Sequence, residues 1–144
     1  MKKFKIINGP NLNLLGKREA VYGSRTLEDI QNLTKAKLQD KNISMDWFQS
    51  NIEGEIVDEI QSLVDSDYDG LVINPAAYSH TSVAIHDALK LLNIPIVEVH
   101  LTNVYSREEF RSQMLTAKAA SKIMCGLKEH AYYLGIISLL EEEE

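Results

Sequence analysis

Two pairs of side chains in this sequence could carry acid–base chemistry at short range. Glu98 and His100 stand two residues apart in PIVEVH, so on a β-strand both point to one face. A carboxylate beside an imidazole orients the ring and favours its protonated form, which makes a general acid near neutrality. Arg18 and Tyr22 make the second pair, in GKREAVYG. Free tyrosine titrates near pH ~10, too high for a base at neutrality, and an adjacent guanidinium stabilises the phenolate. Both pairs also have a plainer reading: a strand-end histidine satisfying a backbone group, and a surface cation–π contact. Complementary groups favour the chemical one. The amides of Asn11 and Asn74 can bind a substrate oxygen or a water, and His80 stands near them in the polar segment after Asn74. Arg111 can bind a hydroxyl or an anion, and the backbone N–H groups of Leu101 and Thr102 can hold a carboxylate. No nucleophile stands with a base beside it, and His80 and His86, six apart, lack metal-ligand spacing. A base and an acid on opposite sides of a small anion fit proton abstraction next to a carbonyl, followed by elimination or isomerisation.

These groups must be gathered by the elements that carry them. Phe4, Ile6 and Ile7 read as a buried strand over residues 4–8. Gly9 permits unusual backbone angles and Pro10 removes a ladder donor, so the strand ends there. The polar stretch from Asn8 to Ser24 is long for a connection, and such loops in compact α/β domains are usually functional. Thr26 with Asp29 is a carboxylate variant of the capping box. It opens a helix to about Gln39 with Leu27, Ile30, Leu33, Ala36 and Leu38 inward. A strand over 43–48 follows, then a second capping box, Ser50 to Glu53, and a helix with Ile56, Ile60, Leu63 and Val64 inward. Residues 71–73 make a short strand ending in a polar loop, 74–82, before a helix through Ala84, Ile85, Ala88, Leu89 and Leu92. Strand four is 95–99. A third capping box, Ser106 to Glu109, opens a short helix with Phe110 and Arg111; a fifth strand lies within 119–127, and a last helix runs from Glu129 to about Leu140. Acids at a helix C-terminus oppose its dipole, so Glu141–Glu144 reads as a frayed, solvated end.

Short apolar strands alternating with helices argue a parallel sheet covered on both faces. With right-handed crossovers this is an α/β, doubly wound, five-stranded parallel sheet in the order 2-1-3-4-5. The reversal falls between strands one and three, and the polar loops after strands one, three and four face the crevice it opens.

At 144 residues the chain reads as a single domain, 1–144. A net charge of −6 argues against a general nucleic-acid binder. It leaves room for a small anionic substrate, because local arginines and backbone dipoles override the global sign. Cys125 is the sole cysteine, so no intrachain disulfide forms and a reducing compartment is expected. It reads as a small buried apolar residue in a late strand rather than a nucleophile. The start MKKFKIINGP does not resemble a signal peptide, and no apolar run spans a bilayer. A soluble, cytoplasmic protein with no membrane partner is expected.

The segments NGPNLNLLGKRE…YG, NPAAYSHTSVAIHDAL and PIVEVHLTNVYSREEFR resemble, in order, the three signature segments of type II 3-dehydroquinate dehydratase. The likeness covers roughly residues 4–135. It implies a flavodoxin-like fold, a homododecamer built as a tetramer of trimers, and neither metal nor organic cofactor. It also implies dehydration of 3-dehydroquinate to 3-dehydroshikimate, in the shikimate or quinate pathway, by anti elimination through an enolate. Carried over, Tyr22 takes the C2 proton with Arg18 stabilising its phenolate. His100, oriented by Glu98, protonates the departing hydroxyl, and Asn11 stabilises the enolate through a water. Asn74, His80 and Arg111 bind ring hydroxyls, and the Leu101–Thr102 amides bind the carboxylate. Asp87 reaches the site of a neighbouring subunit.

The sequence departs from that pattern in its lid. Four residues usually separate the Arg and the Tyr, as in R-E-P-x-x-Y, whereas here only Glu19, Ala20 and Val21 intervene. One residue fewer can move either side chain by up to about 3.5 Å, and a misplacement of ~1 Å can cost on the order of a hundredfold in rate. Thr102 replaces the usual Ser, Tyr105 a common His and Ala76 a common Gly, changes expected to be tolerated. A degenerate binding protein of the same fold is therefore the competing expectation. An ordinary flavodoxin-like nucleotide or receiver module is a third, but no Gly-rich phosphate loop is present, and Asn-Gly-Pro-Asn stands where a receiver needs its acid pair.

Overall fold

The computed structural model describes residues 1–141. Its elements are β1 (Lys2–Asn8), α1 (Leu27–Lys37), β2 (Ile43–Gln49), α2 (Glu53–Gln61), β3 (Gly70–Asn74), α3 (Val83–Leu89), β4 (Ile96–His100), β5 (Lys122–Cys125) and α4 (Ala131–Leu140). The sheet runs β2-β1-β3-β4-β5 with every pair parallel, the order the sequence pattern predicts. Alternation along the inner strands separates two cores. Ile6, Val72, Val97 and Val99 meet α1 and α4 on one face through Ile30, Tyr132 and Ile136. Ile7, Leu71, Ile73 and Ile96 meet α2 and α3 on the other through Ile56, Ile60, Ile85 and Leu89. Strands β3 and β4 are buried along their whole length, which is why they read as continuous apolar runs.

Local details depart from the expectations for identifiable reasons. The box at Thr26 forms as expected: Thr26 Oγ1 accepts from Asp29 N–H at 3.1 Å and Asp29 accepts from Thr26 N–H at 3.0 Å. The box expected at Ser50 does not form. Its hydroxyl oxygen accepts from Ile52 N–H at 2.9 Å and donates to Glu55 at 2.5 Å, a local turn that leaves Ile52 as the uncapped N-cap. Nor does Ser106 cap a helix; it donates to Asn103 O at 2.9 Å, and residues around Phe110 and Arg111 make only a 3-10 turn, Glu109–Ser112. On α1 it is Thr34 that is buried, its hydroxyl returned to Ile30 O at 2.8 Å, while Ala36 faces out. Val64 and Ala84 likewise face solvent. Strand β5 is an edge strand, so it is only partly buried and Cys125 is half-buried rather than buried. No helix among the described residues is long and apolar enough to cross a membrane. Of the expected frayed tail, residues 142–144 lie outside the described residues.

Candidate active site

The C-terminal ends of β1, β3 and β4 open onto one cleft with a volume of about 140 Å³. At the end of β1 the backbone turns within van der Waals distance of the next loop. A Cβ on Gly9 would lie 2.4 Å from the Pro75 carbonyl oxygen, and Gly9 N–H donates to Asn74 O at 2.8 Å. Gly9 is therefore required by close approach of two loops, not by the left-handed φ its position suggested. Asn11 does adopt that region, at φ 69°, which an asparagine tolerates, and its N–H is held by Asn51 Oδ1 at 2.9 Å.

The lid is anchored by buried Leu12 and Leu15 and then folds over the cleft. Its shortened stretch closes as a single 3-10 turn: Tyr22 N–H donates to Glu19 O at 3.0 Å and Gly23 N–H to Ala20 O at 2.9 Å. Gly23 sits at φ 85°, the exit such a turn requires. The three residues between Arg18 and Tyr22 thus lie in one tight turn. The Arg18 guanidinium carbon lies 3.8 Å from the Tyr22 ring centroid. A second guanidinium, that of Arg107, lies 4.8 Å from the same ring. Sequence reasoning missed Arg107; its only cue was its place in the third polar loop, four residues before Arg111.

At the end of β3, Asn74 is held by both ends of its amide. Its Nδ2–H donates to Tyr132 Oη at 3.0 Å, and its Oδ1 accepts from Ala76 N–H at 3.1 Å. Tyr132 in turn donates to Asn8 Oδ1 at 2.5 Å. This buried chain joins β1, β3 and α4 beneath the cleft and leaves Asn74 one amide hydrogen and one lone pair for a ligand. Ala76 pays for its position with φ 53°. His80 donates Nδ1–H to Gln113 O at 2.9 Å, and its ring lies 6.3 Å from that of His100. Burial pushes its pKa below the usual histidine value; the Gln113 bond opposes this, and nearby His100 and Arg111 reinforce it.

At the end of β4, the Glu98–His100 pair forms as its spacing predicts. Glu98 is fully buried, and His100 Nε2–H donates to its Oε2 at 2.8 Å. Leu101 and Thr102 line the cleft, as does Arg111, whose Nε donates to both oxygens of Glu108 at 3.2 Å. The fold therefore brings Asn11, Arg18, Tyr22, Asn74, His80, His100, Leu101, Thr102 and Arg111 to one cleft, with Glu98 directly behind His100. Asp87 is the exception. It lies on α3 with its side chain 71% exposed, against His86 Nδ1 at 3.1 Å, and does not line the cleft. Burial pushes the Cys125 thiol up, which suits an inert side chain. Among the described residues no three His, Cys, Asp or Glu side chains group as metal ligands. A wider groove between α1 and β2, lined by Lys35, Lys41 and Trp47, holds no acid–base pair.

An open α/β sheet with a guanidinium-flanked tyrosine and a carboxylate-backed histidine at its switch point defines an enzyme of proton-transfer chemistry on a small anion. The family model described as Dehydroquinase class II matches residues 2–140. A protein from Aliarcobacter butzleri named 3-dehydroquinate dehydratase is 46% identical over 140 residues, covering 96% of this chain and 85% of its own. Another of that name, from Clostridium beijerinckii, is 49% identical over 138 residues, covering 95% and 94%. The crystal structure of the type II dehydroquinase from Butyrivibrio crossotus superposes with a TM-score of 0.93 at 42% identity, covering 96% of this chain and 97% of that one. The chain belongs to the class II dehydroquinase family.

Proposed function

We propose that this chain dehydrates 3-dehydroquinate to 3-dehydroshikimate in the shikimate pathway, as a single catalytic domain that works as a cytoplasmic homododecamer, a tetramer of trimers. Tyr22, as phenolate, takes the C2 proton, and the electron pair moves into the carbonyl to give an enolate. Arg18 and Arg107 flank the ring and stabilise its negative form. Asn11 holds a water against the enolate oxygen. When the enolate collapses, the C–O bond breaks and His100 hands its proton to the departing hydroxyl, which leaves as water. Glu98 keeps the imidazolium oriented while this happens. Asn74, His80 and Arg111 bind ring hydroxyls, and the Leu101 and Thr102 N–H groups bind the carboxylate. Asp87, outward-facing in the isolated chain, serves the site of a neighbouring subunit.

The observation that carries the reading is the joint occupancy of one cleft by the Arg18–Tyr22 contact at 3.8 Å and the Glu98-backed His100. A binder without turnover, the competing expectation from the short lid, lacks support: the lid closes on a tight turn, and the relatives are named for the enzyme. Adding 3-dehydroquinate to the protein is expected to raise the ultraviolet absorbance of a conjugated enone, and Tyr22→Phe is expected to abolish the rise. Calorimetric binding of 3-dehydroquinate with no absorbance change in the intact protein would refute the reading.

A further inference from the structure

Beneath the acid lies a side chain to which neither the family likeness nor the sequence reading gave a role. Glu98 has two carboxylate oxygens and no exposure to solvent. Oε2 accepts from His100 Nε2–H at 2.8 Å, and Oε1 accepts from the hydroxyl of Thr116 at 2.5 Å. We propose that Thr116 is a positioning residue for the reaction: its hydroxyl fixes the plane of the Glu98 carboxylate, which fixes the His100 ring with Nε2 held and Nδ1 left for the ligand. The proposal rests on the function proposed above.

Three physical points support it. A terminal carboxylate torsion is soft and roughly two-fold, so a single partner does not set the plane of the group, whereas two partners on opposite oxygens do. A hydrogen bond to a charged acceptor is short and strong, and both bonds here lie in a site closed to water, where such bonds gain strength. Thr116 is itself immobilised. It is fully buried and β-branched, and its N–H and that of Leu115 donate to Ser79 O at 3.4 and 2.8 Å. Ser79, also fully buried, donates its hydroxyl to Ala76 O at 2.8 Å. Gln113, three residues before Thr116, accepts from His80. Residues 113–116 therefore brace the loop after β3 against the carboxylate under β4, so the two histidines of the cleft share one support.

The test compares Thr116→Val, which keeps the shape and deletes the hydroxyl, with Thr116→Ser, which keeps the hydroxyl. Losing one hydrogen bond to a charged group is expected to lower kcat by about tenfold, with KM moving less than twofold. The serine variant should restore wild-type kcat. In 15N spectra of the ligand-free protein, the neutral His100 ring should be the Nε2–H tautomer in the wild type and serine variant, and a tautomer mixture in the valine variant. If the valine variant does not fold, Thr116→Cys, with a weak S–H donor, stands in with an intermediate kcat. Wild-type kcat and a single tautomer in Thr116→Val or Thr116→Cys would overturn the proposal, as would a serine variant as impaired as valine. Absent turnover in the wild type would sink the function and not this inference, which the tautomer spectra decide alone.

Discussion

Replacing Glu98 by glutamine isolates what its charge does for His100. The carboxylate accepts from His100 Nε2–H at 2.8 Å and from the Thr116 hydroxyl at 2.5 Å, with no solvent contact. Glutamine has the same shape and can still accept from His100 through its Oε1. One hydrogen of its amide then donates to Thr116, whose hydroxyl rotates from donor to acceptor, so both contacts of the carboxylate are kept in neutral form and the fold survives. What changes is the class of one hydrogen bond. Bonds to charged partners contribute ~1.5–3 kcal/mol and neutral ones ~0.5–1.5 kcal/mol, a difference of about 1–1.5 kcal/mol. Under the proposed function the charged bond keeps the proton-bearing His100 ring in place to donate, so weakening it leaves less of the acid ready and kcat should drop by about 5- to 13-fold, since about 1.4 kcal/mol is tenfold. KM should move less than twofold, because Glu98 does not touch the cleft. Steady-state assays of enone formation read both constants. A kcat within twofold of wild type, or a loss carried wholly by KM, would refute the reasoning.

Other expectations concern the frame around the cleft. Gly9→Ala drives a methyl to 2.4 Å from the Pro75 carbonyl; overpacking of this kind costs about 1–3 kcal/mol, and a thermal melt should show the loss. Ala76→Gly relieves a residue at φ 53°. The left-handed region costs a non-glycine residue roughly 1–2 kcal/mol, against about 0.5–1 kcal/mol for glycine's extra chain entropy, so the melting temperature should hold or rise by a few degrees. His80 has its pKa depressed in the folded state, by burial first. The unfolded chain therefore binds the proton more readily, and His80 favours the folded state above its unfolded value, ~6.5, with that contribution lost as pH falls towards the lower folded value. Melts of wild type and His80→Asn between pH 8 and 5 should diverge, the wild type losing more stability on the acid side.

How much of this was legible in the sequence depends on range. The sheet order followed from apolar runs separated by helix-period stretches, because each strand buried on both faces writes its own signal. The Glu98–His100 pair was legible because both members share one strand. The Arg18–Tyr22 pair was legible because three intervening residues cannot carry them far apart. What escaped was set by distant partners. Ser50 and Ser106 carry the letters of a capping box, yet Glu55 and Asn103 compete for their hydroxyls. The Asn8–Tyr132–Asn74 chain joins residues 124 and 58 positions apart, and nothing local to Tyr132 marks it as polar support for a site. Thr116 and Arg107 were invisible for the same reason, since each acquires its role by folding against β4 or the lid. Gly9 was read for its backbone freedom, when its use is the space a side chain would fill.

The proposed action of Tyr22 and His100 on one molecule from opposite sides is tested most directly by a crystal structure with an unreactive carboxylated ring analogue of 3-dehydroquinate. The phenolic oxygen should lie within about 3.2 Å of the ring edge that bears the abstracted proton, and His100 Nδ1 within about 3.2 Å of the departing hydroxyl, directly or through one water. An analogue bound with either group on the far side of the cleft from its atom, in the ordered lid conformation, would contradict it.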